Sequence, residues 1–326
     1  MRRMTELEPS QAMEALINNI ETVIIGKTEA VELAVATLLA GGHMLIEDVP
    51  GVGKTMLARS LAKSLDCSFK RIQFTPDLLP TDITGVSVFD RSSESFRFRP
   101  GPVFANIVLA DEINRATPKS QAALLECMEE FQVTVDGITH QLPEPFFVMA
   151  TENLVEYEGT YRLPEAQLDR FLACVSLGYP RASDEVKMLG EQAVQHPIKL
   201  VKPVLSPDQL VELQRMVRQV HLDDSLKQYI VQLTRATRQH PAVELGASPR
   251  GSIALMRLSQ ALAAVRQRSY VIPDDIKYIA PAALRHRIIL SADVAFQGTE
   301  ARDVIDEILA EVAVPAGSKE GSYETA

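Results

Sequence analysis

The sequence predicts an α/β chain in which a parallel sheet, flanked by helices and carrying β-hairpin inserts, is followed by a domain made of helices. Three observations carry this. Short apolar runs bounded like buried strands, HMLIE, FKRIQF, ANIVLADE, PFFVMATEN and LACVSLGYP, alternate with helical segments up to about residue 180, and strand–helix alternation of this kind means a parallel sheet covered on both faces. Two segments break the alternation, VSVFDRSSESFRFR and VTVDGITHQL, each with period-two patterning about a polar turn. Beyond Pro180 the strand signals fade and apolar residues recur at helical spacing.

Taken in order, residues 10–40 read as two helices, with Met13, Leu16, Ile17 and Ile20, then Val31, Leu33, Ala34, Val35 and Leu38, on their apolar faces. Between them lies VIIGK, residues 23–27, and Gly41-Gly42 ends the second. HMLIE then enters the turn DVPGVG, which opens the helical KTMLARSLAKSL. FKRIQF is the next strand, followed by a Pro-rich turn, the first hairpin, the strand ANIVLADE and the helix SQAALLECMEE. Asp136-Gly137 in the second hairpin is a strong type I′ signal. PFFVMATEN, a helix around PEAQLDRF and the strand LACVSLGYP complete the sheet. Helices then follow over about 183–194, from Ser206-Pro207-Asp208, over 223–238 and 250–268, and from Ile272-Pro273-Asp274-Asp275.

At 326 residues the chain exceeds the roughly 250–300 at which a single core stops growing. The division expected is an α/β core over 1–180, a linker over 181–205, a helical domain over 206–314 and a disordered tail over 315–326, where apolar periodicity ends. With 33 Lys+Arg against 43 Asp+Glu the net charge is −10, which argues against a basic nucleic-acid surface and leaves a local basic channel open. Cys67, Cys127 and Cys174 lie too far apart for a metal or disulfide pattern and read as reduced, buried thiols. The N-terminus lacks the apolar core of a secretory signal, and no stretch reaches the roughly 20 apolar residues of a membrane span. A cytoplasmic location without membrane insertion is expected.

The chemistry concentrates in a few strings. DVPGVGKT ends in GKT directly after a predicted strand and at a helix start, the context a phosphate-binding loop requires. Gly51 and Gly53 let backbone N–H groups point at phosphate oxygens, and the helix N-terminus adds its positive dipole end. Lys54 is expected on the β- and γ-phosphates and the Thr55 hydroxyl on Mg²⁺. Pro50, Val52 and Met56 complete the expected nucleotide contacts of the loop. The pattern GxxxxGK[ST] asks for glycine at 48, where this chain has Asp48. Alone, the motif also reads as a Gly-rich turn capping a helix.

Support comes from IVLADEIN, where an apolar strand delivers Asp111 and Glu112 at its carboxyl end, the ligand-binding edge of open parallel sheets. Asp111 is expected in the Mg²⁺ shell and Glu112 as the general base on the attacking water. Asn153 ends VMATEN and either orients that water or forms a turn. Arg170 in PEAQLDRF and Arg250 in ASPRGS read, taken singly, as surface ion pairs. An arginine at a helix N-terminus opposes the dipole, so Arg250 also suggests an external anion.

The strings LIEDVPGVGKT, ADEINRATPKSQAALLECMEE, MATEN, LPEAQLDRF and ASPRGS, in that order and spacing, resemble the MoxR family of AAA+ ATPases, and the similarity runs from about residue 10 to residue 310. The resemblance implies an AAA+ P-loop NTPase core with a C-terminal all-helical lid, and hydrolysis of ATP with Mg²⁺. It makes Asn153 sensor 1, Arg170 the arginine finger and Arg250 sensor 2, places Ile25 and Gly26 of VIIGK at the adenine pocket, and accommodates Asp48. The two hairpins resemble the helix-2 insert and the pre-sensor-1 hairpin. Arg162 in TYRLPEA departs from the family, where proline is more usual.

The resemblance further implies a hexameric ring that activates or assembles client protein complexes, often with a partner carrying a von Willebrand factor A domain. Two other readings stay open, a motor on nucleic acid and the motor subunit of a metal chelatase. The acidic balance and the lack of an appended DNA-binding motif favour protein clients over nucleic acid.

Overall fold

The computed structural model describes residues 9–153 and 160–315, apart from the side chains of 192–194. They divide into two compact units between Arg218 and Gln219. The first begins with α1 (Pro9–Glu21), which buries Met13, Leu16 and Ile20, and α2 (Thr28–Leu39), buried over most of its length. The strand β1 (Met44–Glu47) leads through the glycine loop into α3 (Lys54–Ser64), on which α1 packs. Next come β2 (Phe69–Gln73), the short α4 (Pro80–Thr84), the antiparallel pair β3 (Gly85–Asp90) and β4 (Ser95–Pro100), then β5 (Ile107–Asp111) and α5 (Pro118–Glu130). A second antiparallel pair, β6 (Gln132–Val135) and β7 (Ile138–Gln141), precedes β8 (Phe147–Glu152), α6 (Glu165–Leu168), β9 (Ala173–Val175), α7 (Ala182–Val194) and α8 (Pro207–Val217).

Five strands form one parallel sheet in the order β2-β5-β8-β1-β9. β5 and β8 are apolar and buried on both faces because helices cover both, which is why they read as continuous runs. One face packs on α5, where Leu45, Val108 and Val148 meet Leu124, Leu125 and Phe171 in a common core. The edge strand β2 buries Ile72 and leaves Lys70, Arg71 and Gln73 exposed. β8 lies between β1 and β5, so the carboxyl ends of these three strands stand side by side.

Both hairpins form as the sequence indicates. Asp136 (φ 51°) and Gly137 (φ 78°) make the left-handed turn that matches the strand twist. Phe98 of one hairpin stacks on His140 of the other, ring centroids 3.9 Å apart.

The first unit extends further along the chain than the sequence reading. The helix expected over about 183–194 forms as α7 and belongs to the first unit rather than to a linker, and α8, expected to open the helical domain, packs against α2. Its Ser206 and Gln209 form a capping box, Leu210, Leu213 and Val217 are buried, and Gln214 donates to the Leu38 carbonyl at 2.7 Å. The signal for a helix was right while its packing partner, 170-odd positions upstream, was invisible to local periodicity.

The second unit contains α9 (Asp224–Gln239), β10 (Val243–Leu245), α10 (Pro249–Val265), α11 (Pro273–Leu284), β11 (Ile289–Leu290), α12 (Ala292–Phe296) and α13 (Ala301–Glu311). Among the described residues its named strands are the antiparallel pair β10–β11, too short to leave a periodicity. Asp275 at the third position of α11 is fully buried, accepts from the Ile272 N–H that precedes the helix, and is paired with Arg268. The tail expected from 315 onward falls, from 316, outside the described residues.

Candidate active site

The loop between β1 and α3 has Gly51 at φ 86° and Gly53 at φ 100°, left-handed values that a side chain would strain. Asp48, where the phosphate-loop pattern asks for glycine, is not left-handed and is 4% exposed. Its carboxylate ties the loop to the end of β9: Oδ2 accepts from the backbone N–H groups of Leu177 (2.6 Å) and Gly178 (2.7 Å) and from the Ser176 hydroxyl (3.1 Å), and Oδ1 accepts from Val49 N–H (2.9 Å). Lys54 Nζ donates to the Asp48 carbonyl at 2.9 Å. Burial lowers the pKa of the Lys54 amine below its ordinary value, against the opposing pull of Asp48, Asp111 and Glu112.

At the end of β5, Asp111 is 8% exposed. Its Oδ1 accepts from the Thr151 hydroxyl of β8 at 2.7 Å, and its Oδ2 accepts from Arg71 of β2. Glu112 has φ 57°, a left-handed backbone that a non-glycine residue holds only when its surroundings determine it. Those surroundings are present: its N–H donates to Thr151 Oγ1 (2.8 Å), and its Oε2 accepts from Gln73 Nε2 (2.8 Å) and Arg115 (2.9 Å). Asn153 follows β8 and is 5% exposed.

Two hollows flank the glycine loop and share Gly51, Gly53 and Met56 as a common wall. One, about 250 Å³, is lined also by Pro50, Lys54, Thr55, Arg71, Asp111, Glu112 and Asn153. The other, about 210 Å³, is walled by Ile24, Ile25, Val52, Met188 and Pro197 and is more apolar. Together they offer an anion- and cation-binding end beside an apolar slot, the shape that a nucleotide's phosphates and base require. Gly26 does not line the slot. It turns there at φ 72°, and a Cβ in its place would collide with the Asp184 carboxylate of α7.

Residues 43–173 match the ATPase family associated with various cellular activities (AAA), and residues 235–308 match the AAA lid domain. Chaperone MoxR1 of Mycobacterium tuberculosis is 41% identical over 93% of this chain and 82% of its own length. The Bacillus subtilis protein YeaC is 56% identical over 92% and 93%. A crystal structure from Cytophaga hutchinsonii, assigned as an ATPase, superposes with a TM-score of 0.88 at 38% identity, covering 94% and 96%. The chain belongs to the MoxR family of AAA+ ATPases. It has the family's α/β nucleotide-binding core and helical lid, and it is an ATP-hydrolysing enzyme.

The structure of this MoxR-family chain brings Lys54, Thr55, Asp111, Glu112 and Asn153 to one hollow, with Ile25, Val52 and Met56 around the adjoining slot. Arg170 lies elsewhere on the same unit. Its Nη1 donates to the Leu125 carbonyl at 2.7 Å, its Nη2 pairs with Glu129 at 2.9 Å, and it lines a cleft with Glu126, Glu129 and Glu130. Arg250 belongs to the second unit, on the first turn of α10 behind the N-cap Ser248.

Sequence reasoning passed over Arg71, Gln73, Thr151 and Arg115, which hold the two carboxylates, and Met188, Glu191 and His196, which wall the slot. A usable signal existed for the first pair. Polar residues at 71 and 73, two apart on one strand, share a face, and that strand pairs with β5 so that Gln73 stands opposite Asp111.

Proposed function

We propose that this ATPase is a MoxR-type chaperone motor: a hexameric ring in the cytoplasm that hydrolyses ATP with Mg²⁺ to activate, assemble or remodel protein complexes, working with a partner that carries a von Willebrand factor A domain. The observation that carries the catalytic part is the convergence of Lys54, Thr55, Asp111, Glu112 and Asn153 on one hollow beside an apolar slot. The chaperone part is supported by the relative named Chaperone MoxR1 and by the family resemblance. Among the described residues no helix is long and apolar enough to cross a membrane.

In this reading the loop N–H groups and Lys54 bind the β- and γ-phosphates, and Glu112 accepts a proton from the attacking water while Asn153 orients it. Ile25 and Met56 receive the base. The donor set fits Mg²⁺, since a hydroxyl (Thr55) and a carboxylate (Asp111) are hard oxygens and Mg²⁺ is usually held by one or two carboxylates together with substrate phosphates. When bound, Mg²⁺ neutralises charge on the phosphates. Arg170 and Arg250 serve as arginine finger and sensor 2.

Two substitutions test this. Lys54→Ala should abolish ATP binding, whereas Glu112→Gln should bind ATP normally and lose roughly 10²–10⁴-fold in turnover. Equal ATP affinity in wild type and Lys54→Ala would sink the phosphate-loop assignment. Glu112→Gln, loaded with ATP, should retain client and partner in a pulldown that Lys54→Ala does not. Recovery of the same proteins by both variants would remove the nucleotide-driven chaperone role.

A further inference from the structure

Both oxygens of Asp111 already have partners. Oδ1 accepts from the hydroxyl of Thr151, which is fully buried in β8. Oδ2 accepts twice from one guanidinium, from Arg71 Nε at 2.9 Å and Nη2 at 2.5 Å. The same Nη2 donates to Gln73 Oε1 at 2.8 Å, so the guanidinium is steadied from a second side. Lys54, the other cation of the hollow, is turned to the Asp48 carbonyl. Arg71 is therefore the cation bonded directly to a carboxylate left only 11% exposed, and an enclosed carboxylate without such a partner is costly.

Both acceptor positions of Oδ2 are filled by the Arg71 guanidinium, so a divalent cation that coordinates Oδ2 must displace it. One that takes the second position of Oδ1 must share the carboxylate with it against the repulsion of two close positive charges. Thr151 is fixed within a central strand, whereas Arg71 stands on the edge strand with 46% of its side chain exposed and has a long, flexible stem. We infer that Arg71 is a positioning residue that acts as an internal counter-cation. It holds Asp111 in place while the site is empty and leaves the carboxylate when the metal arrives, so that metal binding is an exchange of cations. Free Mg²⁺ then competes poorly with a tethered guanidinium, and Mg²⁺ brought by a nucleotide succeeds because the phosphates supply further ligands. The site takes its metal with the nucleotide and not before. This rests on the reading of Asp111 as the metal's carboxylate.

The test is Mn²⁺ uptake by the nucleotide-free, full-length protein, followed by loss of the free-Mn²⁺ paramagnetic resonance signal. Arg71→Met should bind about one Mn²⁺ per chain at least about tenfold more tightly than wild type, Arg71→Lys should fall between, and Asp111→Asn added to Arg71→Met should abolish the gain. A residue with a merely structural role would not raise metal affinity when removed. Equal Mn²⁺ uptake by wild type and Arg71→Met, whether substantial or nil, overturns the inference, provided circular dichroism shows both folded. If Arg71→Met misfolds, Arg71→Lys alone decides, through the presence or absence of a measurable gain. The underlying reading fails separately, if Asp111→Asn leaves the Mg²⁺ dependence of ATP hydrolysis unchanged.

Discussion

The phosphate hollow and the Arg170 cleft lie on one compact unit and are built from opposite materials. The hollow is assembled at the carboxyl ends of β1, β8 and β5, where a loop of backbone N–H groups, an amine and two carboxylates face one another. The cleft is made from α5 and the segment around α6, where Glu126, Glu129 and Glu130 surround a single arginine. The two share no lining residue. Each nevertheless holds an arginine on a carboxylate, Arg71 on Asp111 and Arg170 on Glu129. The first guanidinium is inside the site it serves. The second is in a cleft that contains no phosphate loop, so its natural counter-anion, in the proposed reading, is a phosphate held by another subunit.

The sharpest way to break this comparison is to separate the two halves. An arginine supplied in trans is worth about 10³–10⁵ in rate in GTPases. Arg170→Ala should therefore lose nearly all turnover while keeping ATP affinity, unlike Lys54→Ala, which should lose binding and turnover together. Mixed together, a Lys54→Ala subunit still offers its arginine to an Arg170→Ala neighbour that binds ATP, and part of the activity should return. If the two variants demonstrably exchange subunits and steady-state ATPase assays find none, Arg170 does not act across an interface.

The contrast also shows what a sequence makes legible. The hollow's principal groups occupy contiguous strings, DVPGVGKT, LADE and MATEN, because each string is one strand's carboxyl end with the turn that follows. The parallel sheet and the two hairpins were legible for the same reason: each depends on periodicity and turn chemistry within a dozen residues. Arg71 and Gln73 were not, because FKRIQF carries no motif and matters only through its pairing with β5. Met188, Glu191 and His196 wall the slot from a stretch with linker-like position, and the docking of α8 on α2 depends on contacts far apart in sequence. Asp48 was visible only as a departure from a pattern. Its partners lie at the end of β9, some 130 residues away.

That last point gives a second, smaller effect. If the hollow is rigid because Asp48 pins the loop to β9, then restoring the pattern's own glycine should harm the protein. Asp48→Gly removes an acceptor shared by Val49, Ser176, Leu177 and Gly178, at a cost of about 1–3 kcal/mol for each buried donor left unsatisfied. A lower denaturation midpoint and weaker ATP binding are expected, with Asp48→Asn intermediate. The Arg170 cleft takes nothing from this anchor. Arg170 variants should therefore be no more sensitive to denaturant in the Asp48→Gly background than additivity allows, and a large coupling between them would show that the two regions are not independent.

The smallest effect expected concerns Glu152, the residue before Asn153. It pairs in register with Glu47 across β8 and β1. Burial, with the charge of Glu47 adding to it, raises its pKa to about 7, while Arg162 pulls it down. Arg162, the residue that departs from the family's proline, thus offsets a carboxyl at the end of β8. A folded pKa raised from about 4.5 to about 7 means that the native state binds the proton more tightly than the unfolded chain. The stabilisation is full below pH 4.5 and disappears as pH rises through 7. By pH 8 an ionised Glu152 should disfavour the fold by up to about 3 kcal/mol relative to pH 4.5. Glu152→Gln mimics the protonated form and removes this dependence, so its stability relative to wild type should improve between pH 5 and pH 8 in urea titrations. An unchanged difference between Glu152→Gln and wild type at the two pH values would mean that Glu152 is ionised throughout, with Arg162 rather than a proton neutralising it. In that case Glu152→Gln/Arg162→Ala should be more stable than Arg162→Ala alone by the same margin at both pH values.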